Sequence, residues 1–343
     1  MGIRNRLLSF WFLARLRWKG GFSEADEELL ASVISHMAHS GVGTDACLRH
    51  GCLPLPVNFH SPVPDLADLD QRGVWNRVSS LHGMDFRAHA QCELLQELGK
   101  TFGQECNWPL TVTANPYQFF TENPSFSYGC AAALHSIVRK CKPRRVIEVG
   151  SGNSSLVTAG ALTRNAEEGS VAEYRIIDPY PRDIIRKGLP RLTGLIERRV
   201  ETVDPEVFLG LEENDILFVD SGHTVRIGSD VNFIILDILP RLAPGVIIHF
   251  HDISLPYEYA KVYATNPAFR MFWTEAYLLQ AFLSCNSKFE ILLSMEYLMK
   301  DHKELFCSAF PFYDPKVHKA ISGSFWIRRK LQSPDASLAQ SPG

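Results

Sequence analysis

Residues 144–155 read RRVIEVGSGNSS. An apolar run with strand character reaches Glu148, breaks at Gly150 and Gly152, and passes into small polar residues that open the helical pattern SSLVTAGALTRNA. Strand, glycine turn and helix in succession form the unit from which a mostly parallel sheet is built. The pattern repeats after Pro143. EYRIIDPYP, DILFVDSGH and GVIIHFHDI read as strands, while GSDVNFIILDILPRLA and TEAYLLQAFLSC read as the helices between them. FEILLSM and GSFWIRRK, joined through AFPFYDPKVHKAISG, read as an antiparallel pair at the sheet edge. The expectation is an α/β fold: a doubly wound, mostly parallel seven-stranded sheet of Rossmann-like type over residues 123–330.

The remaining chain is of another kind. SEADEELLASVISHMAH reads as a helix capped by Ser23 with Asp26 in its first turn. Residues 41–64 are rich in Pro, Gly and His and read as irregular, and AQCELLQELGKTF as a helix. NPYQFFTENPSFSYG, with Tyr117, Phe119, Phe120, Phe126 and Tyr128, reads as an aromatic loop before the helix CAAALHSIVRKC. Residues 1–122 are thus a helical and irregular region suited to substrate or oligomer contacts, including a homo-oligomer. Residues 331–343 form a polar tail of disordered composition. The run from Met1 to Gly21 carries Arg4, Arg6, Arg15, Arg17 and Lys19. Its apolar part is too short to span a bilayer, and no small-residue cleavage site follows it. Residues 3–19 suit a helix packed on the protein or a partner, with weak contact to an anionic membrane surface as the alternative.

Eight cysteines without a C-x-x-C pair exclude a zinc ribbon and read as reduced thiols in a cytoplasmic protein. A formal charge of −3 over 343 residues provides no field for nucleic acid.

In a doubly wound sheet the ligand sits beyond the carboxyl ends of the strands. The residues there are Glu148 to Asn153, Asp178, Asp220 to His223, and His249 to Asp252. A nicotinamide fingerprint asks for G-x-G-x-x-G, but the third glycine position is Ser155; a P-loop asks for a Lys that is absent. Glu148 would repel a pyrophosphate. A cofactor with a positive centre and no phosphate would accept it, and S-adenosylmethionine, with a sulfonium and an ammonium group, is one. Glu148 is then expected to meet the amino acid end of that cofactor, directly or through water. Gly150, Gly152, Asn153, Ser154, Asp220 and Ser221 are expected around it, with Asp178 on the ribose hydroxyls. Tyr180 stands where it could stack near adenine.

On VIEVGSG, IIDPYP and DILFVDSGH, residues from about 123 to 329 resemble the class I S-adenosylmethionine-dependent methyltransferases. NPSFSYG, DILFVDSGHTVRIGSDVN, GVIIHFHDISLPYEY and GSFWIRR are similar, more narrowly, to a bacterial group related to the sugar O-methyltransferases of macrolide biosynthesis. The resemblance implies methyl transfer to oxygen of a small molecule or glycan. His223, Asp220 and His251 are the candidate catalytic residues, with an imidazole as base. His249 fits a structural role. A metal is the sharper alternative. The related enzymes hold magnesium with acids at similar positions, and here Asp220, His251 and Asp252 would converge. The imidazole, standing where an acid is usual, shifts preference from Mg toward Mn, Fe or Zn. Arg226 and Asp230 are expected to orient the loop after His223 through a salt bridge. A nucleotide-dependent oxidoreductase and a noncatalytic cofactor-binding protein are the competing readings.

Overall fold

The computed structural model describes residues 23–331 apart from 269 and 319–321. The expectations for residues 3–19 and for residues 332–343 of the tail lie outside the described residues. The chain divides into two compact units, residues 1–72 and 73–343.

In the first unit, α1 (Glu24–Ser40) starts at the capping box legible in SEADEELL: Asp26 N–H donates to Ser23 Oγ and Ser23 N–H to Asp26 Oδ2. Gly41, at φ 74°, ends it in the left-handed conformation and donates its N–H to the Met37 carbonyl. No residue of α1 is buried. The stretch read as irregular contains one short helix, Thr44–Arg49, and Asp65 caps another at Leu66–Gln71.

The second unit is built on a seven-stranded sheet. α2 (Ala88–Phe102) and α3 (Tyr128–Cys141) precede it. Then come β1 (Arg145–Val149), α4 (Asn153–Glu167), β2 (Glu173–Ile177), β3 (Gly194–Ile196), β4 (Ile216–Val219) and β5 (Ile247–Phe250). α5 (Glu275–Leu283), β6 (Phe289–Ser294), α6 (Met295–Asp301), α7 (Lys303–Ala309) and β7 (Phe325–Arg329) complete it. The strand order is β3-β2-β1-β4-β5-β7-β6. β3 through β5 run parallel, and β7 is antiparallel to both β5 and β6. This is the expected α/β fold. The antiparallel pair lies at the edge, with β7 inserted beside β5.

Alternate residues of each strand serve opposite faces, and both faces are covered by helices, so the central strands are mostly apolar, with Glu148 of β1 and His249 of β5 among the buried exceptions. Val146, Tyr174, Ile216, Phe218 and Trp326 pack with α2, α3, α4, α6 and α7. Ile147, Val149, Ile177, Leu217, Val219, Ile248 and Phe250 pack against residues 200–211, 231–242 and α5. Three elements go beyond the sequence reading. β3 is only GLI, and α6 and α7 occupy the stretch between FEILLSM and AFPFYDPKVHKAISG, to which the sequence pattern assigns no element. Residues 230–241, read as one helix, instead widen into a π-helical turn at Phe233–Ile238 and tighten into a 3₁₀ turn at Leu239–Arg241.

Register positions the site. Val149 lies opposite Ile177 and Val219, and Val219 opposite Phe250. The strands therefore end level, and one more rung follows: Gly150 N–H donates to Ile177 O, Asp220 N–H to Val149 O, and His251 N–H to Val219 O, each at 2.8–2.9 Å.

Candidate functional site

Beyond that rung lies a cleft of about 800 Å³, lined by Gly150 and Ser151, Asp178 to Tyr180, Asp220 to Gly222, and Arg226 to Gly228. Gly150 forms its floor. At φ 80° it is in the left-handed region, and a Cβ there would lie 2.0 Å from the Asp220 carbonyl oxygen. Only glycine allows the turn and β4 to approach so closely. Asp178 faces the cleft with one carboxylate oxygen accepting from Ser151 Oγ and the other from Tyr180 N–H at 2.7 Å. The Tyr180 side chain is exposed. Ser221 Oγ is buried with no hydrogen-bond partner in this wall. An acid beside a glycine turn, and a buried hydroxyl able to donate or accept, fit an uncharged adenosine with a cationic tail.

Glu148 is not in the cleft wall. It shares strand parity with Val146, so its side chain points into the layer of α3 and α4 and is fully buried. Its carboxylate accepts from Ser154 Oγ at 2.7 Å, Ser155 Oγ at 2.9 Å, and Tyr174 Oη. Burial pushes its carboxyl up to about 7, against the lowering effect of these three hydroxyls. The residue expected to meet a cofactor's amino group instead fastens the start of α4 to β1 and β2. Ser154 is spent on Glu148. Asn153 is also turned away, donating from Nδ2 to Asn123 Oδ1 and Ser125 Oγ, both at 2.9 Å. Gly152, which is extended, donates its N–H to Ser155 Oγ at 3.0 Å.

At the ends of β4 and β5 three ligand-bearing side chains converge. His223 Nε2 lies 3.2 Å from Asp220 Oδ1 and 3.6 Å from Asp252 Oδ2. One ligand atom from each of Asp220, His223 and Asp252 falls within 4.8 Å of the others. His223 (φ 53°) and Asp252 (φ 54°) both have left-handed backbone, which turns the two loops toward one another. The other ring nitrogen, Nδ1, is 2.8 Å from Glu275 Oε2 at the start of α5. The His223 carbonyl accepts from Thr274 and Glu275 N–H groups. Burial works against a charge on His223, but Asp220 and Glu275 outweigh it and push the imidazole up to about 10. Burial likewise opposes the Asp220 charge, which the His251 and His223 rings nevertheless favour, holding its carboxyl at about 2.

His251 is not in this trio. Its Nε2 is 3.4 Å from the Ser125 carbonyl and 3.6 Å from Asp252 Oδ1, and its ring packs on Phe126. The expected set of Asp220, His251 and Asp252 is therefore corrected: His223 takes the place of His251. The cause is backbone direction, since His251 still follows the β5 ladder and points to the α3 side, whereas His223 has passed into the turn. His249 is structural as read, stacked on Phe218 with Nε2 2.9 Å from Ser324 Oγ. Burial and the neighbouring His251 keep it well below its usual range. The expected Arg226–Asp230 bridge does not form, because Asp230 Oδ2 accepts the Gly222 N–H instead. Phe119, Phe126 and Tyr128 of the aromatic loop are core residues, and Tyr128 Oη donates to the Cys106 carbonyl at 3.0 Å.

Glu275 escaped the sequence reading, because a Glu at the first helical position is ordinary dipole chemistry and says nothing of a histidine 52 residues away. Trp273, whose ring centroid is 4.9 Å from that of His223, escaped it as well.

Residues 147–253 match the model of a family described as Methyltransferase domain; the match runs from within β1 to just past β5 and includes every cleft-lining residue. An uncharacterized protein of Archaeoglobus fulgidus is 28% identical over 168 residues, covering 47% of this chain and 75% of that protein. A crystal structure described as a protein-L-isoaspartate O-methyltransferase from Plasmodium falciparum, in complex with S-adenosyl-L-homocysteine, overlaps 54% of this chain and 81% of that one. Its sequence identity is 13% and its TM-score 0.25, too slight an overlap to bear on this site. The cleft at the strand ends thus lies wholly within the stretch that matches a methyltransferase domain. Among the described residues no helix is long and apolar enough to cross a membrane.

Proposed function

We propose that the protein transfers a methyl group to a hydroxyl oxygen of a small molecule or glycan, in the manner of the macrolide sugar O-methyltransferases that its motifs resemble. The observation that carries this reading is the Asp220–His223–Asp252 trio, which reaches the cleft through Asp220, with Glu275 on the far nitrogen of His223. S-adenosylmethionine supplies an electrophilic methyl carbon; its carbon–sulfur bond breaks with the electron pair going to sulfur while a bond forms to the acceptor oxygen. The chain's part is to hold the adenosine, align the acceptor and accept its proton.

Asp178 suits the ribose hydroxyls, and Ser221 and the Gly150 turn suit the rest of the cofactor. At the trio, Glu275 accepts the Nδ1–H of His223 and so fixes Nε2 between Asp220 and Asp252; raised to about 10, the ring is a cation near neutral pH and serves as base only once its Nε2 proton has left. An imidazole whose second nitrogen is held by a buried carboxylate is also the usual setting of a metal ligand. Two carboxylates and an imidazole suit Mn or Fe ahead of Mg. Asp220, His223 and Asp252 would hold such an ion, which would lower the pKa of a bound hydroxyl.

The test is calorimetric titration of the metal-stripped protein with S-adenosylmethionine, then release of S-adenosylhomocysteine from a panel of hydroxylated acceptors with and without added Mn or Mg. Micromolar cofactor binding and acceptor-dependent turnover, lost in His223→Ala while cofactor affinity stays, are the expected results. Turnover insensitive to His223→Ala would remove the trio from the mechanism.

A further inference from the structure

A second cavity, of about 420 Å³, opens on the other side of the trio, walled by Trp75, Tyr257, Tyr259, Tyr263, Trp273 and Asp252. The cofactor cleft is lined by Asp220 and not by Asp252; this cavity is lined by Asp252 and not by Asp220. His223 Nε2 lies between the two carboxylates, 3.2 Å from one and 3.6 Å from the other. The trio thus stands at the border of the two spaces, where a methyl donor on one side and an acceptor oxygen on the other would have to come into direct contact for in-line transfer.

We infer that this cavity seats the methyl acceptor, with Trp273 as the residue that sets its specificity, and that the acceptor is a ring carrying two or more hydroxyl groups. The inference rests on the methyltransferase reading above. Trp273 joins the cavity to the reacting centre: its ring is 4.9 Å from that of His223 and 4.4 Å from that of Tyr263. Tyr259 meets it edge-on at 5.9 Å. These aromatic faces offer a stacking surface for a ring, and a volume of this size holds one or two rings. The polar part of the wall, which includes Asn76 and Ser254, also carries charged groups able to bond ring hydroxyls. Glu258 and Glu296 accept hydrogen bonds, and Lys300 donates, already held 2.8 Å from Glu296 and 4.0 Å above the Tyr257 ring. Carboxylates outnumber cations in the wall, with Asp252, Glu258 and Glu296 set against Arg77 and Lys300. A strongly anionic acceptor is therefore disfavoured. Sugars and phenolic polyols share the ring-and-hydroxyl chemistry, and experiment separates them.

The experiment is saturation-transfer NMR on the full chain saturated with S-adenosylhomocysteine, with methyl β-D-glucopyranoside as one probe and catechol as the other. At least one probe is expected to receive saturation, and which one identifies the source. Trp273→Ala should weaken it about tenfold or more, the loss of one stacking face. Trp273→Phe, which keeps a ring, should stay within about threefold of wild type. Both variants should keep S-adenosylhomocysteine affinity, which also reports that they are folded. No saturation of either probe in wild type, or equal saturation of Trp273→Ala and wild type, overturns the inference and leaves the methyltransferase reading intact. Wild-type protein that takes up a ring probe yet does not bind S-adenosylhomocysteine overturns that reading, and with it the ring's role as acceptor.

Discussion

Replacing Glu148 with Gln separates two roles for the acid in front of the glycine turn. The carboxyl is fully buried and raised from its ordinary 4.5 to about 7, chiefly by burial. Between those values the folded chain keeps a proton that the unfolded chain has released. The folded state then binds more protons, so stability falls as pH rises through this window and levels off above it. At about 1.4 kcal/mol per pH unit, the burden on the folded state above pH 7 is on the order of 3 kcal/mol. Gln carries no such burden, although it gives up a hydrogen bond from one of the three hydroxyls, a cost of about 1 kcal/mol. Urea unfolding of wild type and Glu148→Gln at pH 5, 6, 7 and 8 reads the difference directly, because other titrating groups cancel. Wild type should lose about 2.5 kcal/mol relative to the variant between pH 5 and pH 8. Affinity for S-adenosylmethionine should stay within about threefold, since the side chain does not line the cleft. Parallel pH curves would refute the burial argument. Flat curves with a hundredfold loss of cofactor affinity would restore direct contact with the cofactor.

Three further substitutions probe the rest of the site. Gly150→Ala places a methyl group 2.0 Å from the Asp220 carbonyl at a positive φ, so it should cost on the order of 3 kcal/mol and weaken cofactor binding, read by thermal melting with and without ligand. A variant melting with wild type would show that the turn and β4 part freely. Asp178→Asn should weaken S-adenosylmethionine about tenfold or more by removing charged hydrogen bonds to ribose, measured by calorimetry; unchanged affinity would move the ribose elsewhere. Glu275→Gln should lower kcat about tenfold to hundredfold with cofactor Kd unchanged, as expected of a residue acting through the histidine it orients. A change confined to KM, or none, would make the contact purely structural.

The amino-acid sequence alone determined the fold class, the strands of the parallel core, the capped start of α1 and the row of strand-end residues from Gly150 to Asp252. These rest on signals a few residues long: apolar alternation and runs, capping pairs and glycine turns, each imposed by local backbone geometry. Tertiary structure decided the direction of each side chain. Glu148 faces the core because strand parity sets it beside Val146, and no spacing in VIEVGSG tells that face from the other. His223 displaces His251 from the trio because a left-handed backbone turns it and Glu275, 52 residues later, holds it there. β3 exists because its three residues pair with β2, which a short apolar pattern cannot announce by itself. The cavity around Trp273 draws its walls from segments around residues 75, 257, 273 and 300. Convergence of that kind depends on long-range packing and register, which the order of residues along the chain encodes only through the folded whole.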